Sequence, residues 1–156
     1  MSLHKCKISW KRETRDFGYE SYNRSHDWHF ENGLKVEASS APAFFGTADR
    51  VDPEEAFVAS LSSCHMLTFL AICARKRLTV DSYIDKATGY LAKNEAGKLA
   101  MTKVVLSPKI IFSGDPPSEE TLEKIHERSH HECFIANSVK TEIVIDEYFG
   151  ETSEEN

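Results

Sequence analysis

Apolar and polar positions alternate through the first third of the chain, and the period then changes. In Lys5–Trp10, Cys6, Ile8 and Trp10 fall on one face and the lysines and Ser9 on the other, which predicts a strand. The stretch 17–40 is rich in aromatic and β-branched residues around Glu31-Asn32-Gly33. An Asn-Gly pair between such runs predicts a hairpin, so three strands are expected here. Residues 40–53 carry Pro, Gly and Asp punctuation and read as a loop.

A helix is predicted to open at Asp52. Asp is a good N-cap, Pro53 suits the first helical position, and Glu54 and Glu55 suit the positive end of the helix dipole. The helix is expected to reach about Arg77, with basic residues at its negative end. Between Ala56 and Ala74 it is apolar on most sides, the mark of a central helix. Two strands are expected next, over 83–92 and 101–112, joined by a turn at Asn94–Gly97. In the second, Val104, Leu106, Ile110 and Phe112 are placed on one face. Ser118 then caps a second helix, with Glu119 and Glu120 in its first turn and Leu122, Ile125 and Ser129 on one side. Residues 134–139 read as a short helix or turn, 140–148 as a last strand, and the end from about 150 as a disordered tail.

Strand runs separated by single helices define an α+β fold with a mainly antiparallel sheet. At 156 residues, one domain over 1–156 is the default. One small sheet cannot cover every side of the long apolar helix, so a second subunit is expected against it. The net charge of −6 argues against a nucleic-acid partner, and the lack of a basic run argues against a membrane surface. The apolar run Leu61–Ala74 is interrupted by His and Thr and is short for a membrane span. With no leader-like apolar segment at the start, the chain is read as cytoplasmic, where thiols stay reduced.

Candidate chemistry centres on four cysteines, Cys6, Cys64, Cys73 and Cys133, with no CxxC pair. Cys6 and Cys73 read as core thiols. Cys64 lies mid-helix among Phe57, Ser60, Leu61, Leu67, Thr68 and Ala71, an apolar face that by itself favours an inert thiol. Reactivity would need a cation or donor from elsewhere in the chain. His65 points about 100° away from Cys64 and is a poor general base for it; a capped or water-bonded role is expected. His126, His130, His131 and Cys133 raise the question of zinc, but the HExxH arrangement is absent and no metal site is assigned. No P-loop, GxGxxG or GxSxG motif is present.

The segment 51–75 resembles the central helix of the OsmC/Ohr family of thiol peroxidases (osmotically inducible protein C and organic hydroperoxide resistance protein). An acidic-Pro-Glu start is followed ten positions after Glu54 by Cys64. A second cysteine, Cys133, precedes the last strand, and Arg24 stands on an early strand. The resemblance runs from about Lys5 to about Tyr148 and falls in the OsmC-like branch. It implies an intertwined homodimer with long central helices packed against mainly antiparallel sheets. It also implies a peroxidatic Cys64, a resolving Cys133, an Arg24 that stabilises thiolate and peroxide, and a Glu54 that holds the arginine. Organic hydroperoxides, with hydrogen peroxide as a second substrate, would be reduced through a Cys64 sulfenic acid and a Cys64–Cys133 disulfide, in oxidative and osmotic stress. No cofactor is implied; an external dithiol, a dihydrolipoyl group among the candidates, would restore the thiols. Phe57, Leu61 and Leu67 would suit an alkyl tail. Phe134 stands where proline is common, the Gly-Gly before the arginine is missing, and Arg50 is a second candidate for the arginine. Ten helical residues span about 15 Å and turn about 280°, so Glu54 cannot readily touch Cys64 of its own helix. A partner chain is therefore expected to supply Glu54 and Arg24 to each Cys64. The alternative is a protein of the same fold that binds a small apolar ligand without peroxidase activity.

Overall fold

The computed structural model describes residues 1–146. The expected tail, and Glu147 and Tyr148 of the expected last strand, lie outside the described residues. By its contacts the chain divides into two compact units, Met1–Ala56 and a second beginning at Phe57.

The first unit is a three-stranded antiparallel sheet, β1 (Cys6–Ser9), β2 (His26–Phe30) and β3 (Lys35–Ala38), in the order β1-β2-β3. The predicted hairpin forms. The Gly33 amide donates to the Phe30 carbonyl at 3.0 Å and the Leu34 amide to Asn32 Oδ1 at 3.0 Å. Gly33 sits at φ +83°, a left-handed conformation that favours glycine. The predicted buried face of β1 is not found. All four residues of β1 are exposed, so Cys6 is a surface thiol and not a core one. Alternation holds there, but among the described residues no element covers the face it creates. Residues 11–25 turn instead of extending: the Ser21 and Tyr22 amides both donate to the Gly18 carbonyl. Arg24 consequently lies ahead of β2, not on a strand. Past β3, the Ser39 amide donates to the Val51 carbonyl at 2.9 Å and the Val51 amide to Glu37 at 3.1 Å. These two bonds bring the chain back beside β3 before the long helix starts.

Helix α1 (Pro53–Arg75) begins as predicted. Asp52 Oδ1 accepts from the Glu55 amide at 2.8 Å, and Glu55 Oε2 accepts from the Asp52 amide at 3.2 Å. This reciprocal pair satisfies two amides that the helix start leaves over. The helix stops two residues before the expected Arg77, which takes φ +60° while the Leu78 amide closes back on the Cys73 carbonyl at 2.9 Å.

In the second unit the two expected strands are four, β4 (Val80–Asp85), β5 (Thr88–Lys93), β6 (Leu99–Leu106) and β7 (Pro108–Phe112). Each long run breaks, at Lys86-Ala87 and at Ser107, and the halves pair separately: β4 with β7, and β5 with β6, both antiparallel. Asp85 organises the break. Its Oδ1 accepts from the Ser107 amide at 2.6 Å and its Oδ2 from Ser62 Oγ on α1 at 2.5 Å. Ser118 caps α2 (Glu119–Glu132), accepting from the Thr121 amide, as predicted. A 3-10 turn at Ala136–Ser138 leads to β8 (Glu142–Ile145). β8 joins β6 in parallel, whereas the other described strand pairs are antiparallel.

The break also separates residues placed together by alternation. Val104 and Leu106 are buried with Leu61 in one cluster, against which Phe57, Val58, Ile143 and Ile145 pack. Ile110 and Phe112 pack on the other cluster, Phe69, Ile72, Cys73 and Ile125. One helix therefore feeds both cores. Gly89 lets α1 lie close on β5, since a Cβ there would come within 2.4 Å of Val58 Cγ2. By length and composition alone α1 could cross a bilayer, a stronger apolar signal than the sequence reading allowed. Its buried residues Leu61, His65, Phe69, Ile72 and Cys73 mark it as the core helix of this fold. Leu61→Ala is expected to cost about 2–5 kcal/mol of stability, measured by urea denaturation, because it opens a cavity beneath β6.

Candidate functional site

The two cysteines singled out in the sequence meet. Cys64 sits in the middle of α1, half-buried, and Thr68 Oγ1 donates to its carbonyl at 2.9 Å. Cys133 is the first residue past α2 and is 1% exposed. Its turn is held by the Ala136 amide, 3.4 Å from Cys133 Sγ, and by the Asn137 amide on the Cys133 carbonyl at 3.0 Å. Both thiols are free. Burial pushes the Cys133 thiol up to about 11, and a hydrogen bond with the Cys64 side chain pushes the same way. Cys133 therefore keeps its proton near neutrality and can donate it to the Cys64 sulfur. Cys73, the fourth cysteine, is a core thiol as expected, its ionisation suppressed by burial.

His65 has a partner the sequence did not reveal. Its Nε2 lies 3.0 Å from His126 Nδ1, with the two rings within 3° of parallel. Phe69 packs on His126 at 4.5 Å between centroids. The link joins α1 to α2, and helical spacing alone could not show which faces meet. Among the described residues no group of three or more His, Cys, Asp or Glu could hold a metal ion.

Arg24 and Glu54 belong to the first unit. The Arg24 guanidinium donates to the Tyr22 carbonyl at 2.7 Å and to the Tyr19 carbonyl, and stacks 3.6 Å over the Tyr22 ring. Trp28 Nε1 donates to His26 Nε2 at 3.0 Å, which leaves the His26 proton on Nδ1 to donate to the Arg24 carbonyl at 2.7 Å. Arg24 and His26 line a cavity of about 410 Å³ with Trp10, Phe17, Tyr22 and Pro53. Arg50 is engaged elsewhere, 3.7 Å from Asp27 and 3.8 Å from Glu37. Of the two candidate arginines, only Arg24 faces the aromatic cavity. Glu54 is half-buried in the first turn of α1, where the capping carboxylate is that of Glu55.

The residues expected to receive an alkyl tail diverge. Leu61 is 1% exposed and Phe57 packs beside it in the core. Leu67 is 60% exposed. The sequence reading missed the aromatic lining around Arg24. The close spacing of Phe17, Tyr19 and Tyr22 to Arg24 was the available signal.

A family model described as OsmC-like protein matches residues 46–147. An OsmC-like protein of unknown function from Vibrio cholerae is 48% identical to this chain, with a TM-score of 0.91 over 94% of this chain and 99% of that one. An OsmC-like protein from Mycoplasma pneumoniae has a TM-score of 0.73 at 15% identity, over 94% and 96% of the two chains. An organic hydroperoxide resistance protein from Elizabethkingia anophelis has a TM-score of 0.67 at 18% identity, over 94% and 95%. No curated protein sequence matches. The fold is that of an α+β protein with an OsmC fold, and the chain belongs to the OsmC-like family.

The buried imidazoles carry a pH dependence. Burial, with the charge of His130 adding to it, brings His65 down to about 4; burial and then His65 bring His126 down to about 3. An imidazole made less basic by folding binds its proton better in the unfolded chain, whose value is near 6.5. Stability is thus fully present above about pH 6.5 and is lost as pH falls toward 3–4. Urea midpoints measured from pH 7 to 4 should fall, and more shallowly in His65→Gln, which has no proton to take up.

Proposed function

We propose that this protein is a cysteine-based hydroperoxide reductase, with Cys64 as the peroxidatic thiol and Cys133 as the resolving thiol. The observation that carries the reading is the contact between these thiols, on two different elements of one unit. Membership of a family that includes hydroperoxide resistance proteins supports it.

The chemistry balances without a cofactor. The Cys64 thiolate attacks one peroxide oxygen, the O–O bond breaks, and the alcohol leaves with a proton. Cys64 is then a sulfenic acid. The Cys133 sulfur attacks it and expels water, leaving a Cys64–Cys133 disulfide. An external dithiol, a dihydrolipoyl group among the candidates, returns two electrons and two protons by exchange. Because Cys133 donates to Cys64 and holds its own proton, the two thiols do not compete as nucleophiles. In this reading Arg24 and Glu54 reach Cys64 from the partner subunit of a homodimer, Arg24 offsetting the thiolate charge. The alkyl or aryl part of the substrate takes the aromatic residues around Arg24 together with Leu67. The reading keeps the chain in the reducing cytoplasm, acting in the oxidative-stress response.

One equivalent of cumene hydroperoxide should consume two thiols per chain, counted by titration under denaturing conditions. If no thiol is lost, the protein is instead a binder of small apolar ligands. Cys64→Ser should abolish dithiol-dependent peroxide consumption, and Cys133→Ser should leave a sulfenic acid that dimedone traps. Co-expressing Cys64→Ser with Arg24→Ala should restore part of the activity that each variant lacks alone. Activity no higher than in the separate variants would show that Arg24 and Cys64 act from the same subunit.

A further inference from the structure

We infer that the His65–His126 hydrogen bond is a positioning device that holds the helix bearing Cys64 in register with the helix that ends on Cys133. The inference rests on the assignment of these cysteines as a redox pair.

A disulfide forms only when the two Cα atoms stand about 4.4–6.8 Å apart with the Cβ vectors facing each other. Cys64 lies in the interior of α1 and Cys133 at the end of α2, so their approach depends on how the helices are set against each other. A slip of one residue along a helix moves a side chain about 1.5 Å along the axis and about 100° around it. Either displacement would carry the sulfur out of reach.

Most of the contact between the helices is apolar: Phe69, Ile72 and Cys73 of α1 against Ile125 of α2, with Leu122 alongside. Such contacts have little directionality and tolerate sliding. The His65–His126 bond does not. It has an N···N distance of 3.0 Å, is buried, and needs one ring to donate and the other to accept. A slip would strand two buried imidazoles without that bond, which is costly. Single buried polar contacts set register in helical assemblies for the same reason. The pin is also well placed, since His65 is the residue next to Cys64 on the helix. Two other polar links of these helices do not do this work. Ser62–Asp85 ties α1 to the strand break and not to α2. The attraction of Arg75 for Glu132 acts on a solvent-exposed carboxylate, where water and salt screen it.

The test is the equilibrium of the intact protein with glutathione. Cys64 and Cys133 give two electrons and two protons to oxidised glutathione, forming the internal disulfide and two reduced glutathione molecules. This yields the effective concentration of one thiol toward the other, with no need for peroxidase turnover. His65→Leu should lower it by about tenfold or more, whereas His65→Gln, whose amide nitrogen reaches the Nε2 position, should stay within about threefold of the parent. Ile125→Val loosens the apolar contact and serves as the control: a merely structural role predicts the same loss there as in His65→Leu. If His65→Leu does not fold, His126→Phe carries the test, since it keeps an aromatic ring beside Phe69 and removes Nδ1. An unchanged equilibrium in the folded variant, or an equal loss in Ile125→Val, overturns the inference while leaving the redox pair intact. Failure of the parent protein to form the Cys64–Cys133 disulfide overturns the redox pair, and the inference with it.

Discussion

The fold depends on one helix serving two cores. α1 places Leu61 among Val104 and Leu106, and two turns further on places Phe69, Ile72 and Cys73 against Ile125 and the β4–β7 pair. Burying one side of this apolar helix, through Leu61, Phe69, Ile72 and Cys73, is a hydrophobic gain that the strands are arranged to receive. The division of β4–β5 and β6–β7 at Lys86-Ala87 and Ser107 follows from that demand. An unbroken pair of long strands would offer one face, whereas the broken pair offers two.

That arrangement decides what the cysteines can do. Cys64 lies on the helix between residues committed to one core and residues committed to the other. Cys133 lies where α2 ends and the chain turns toward β8. The two cores thus set where each thiol stands, and the polar bonds refine the approach. Burial keeps the proton on Cys133, which suits a thiol that acts second.

Much of this was legible in the sequence wherever a local rule governs the outcome. Asp52-Pro53 with Glu55, Ser118 with Thr121, and Asn32-Gly33 each act through neighbours within a few residues, and each element begins or turns where those residues stand. The pairing of Cys64 with Cys133 came from family resemblance and not from spacing. What failed was non-local. Alternation in β1 was real, but nothing in the sequence says whether an element covers the face that carries Cys6. Alternation across Ser107 was also real, yet Ile110 and Phe112 belong to a different core from Val104 and Leu106. His65 looked idle because its partner lies 61 residues away on α2.

Asp85 has a bearing on the proposed redox chemistry through Ser62. Its carboxylate holds Ser62 two residues before Cys64, and His126 holds His65 one residue after. The turn of helix that carries the thiol is thus gripped from the sheet on one side and from α2 on the other. Closing a bond of about 2.05 Å between two sulfurs that begin as non-bonded neighbours requires one of them to travel. The gripped helix is the stator. In the proposed cycle the travelling part is the short turn after α2, where the amides of Ala136 and Asn137 hold Cys133, so its cost falls on residues 133–138.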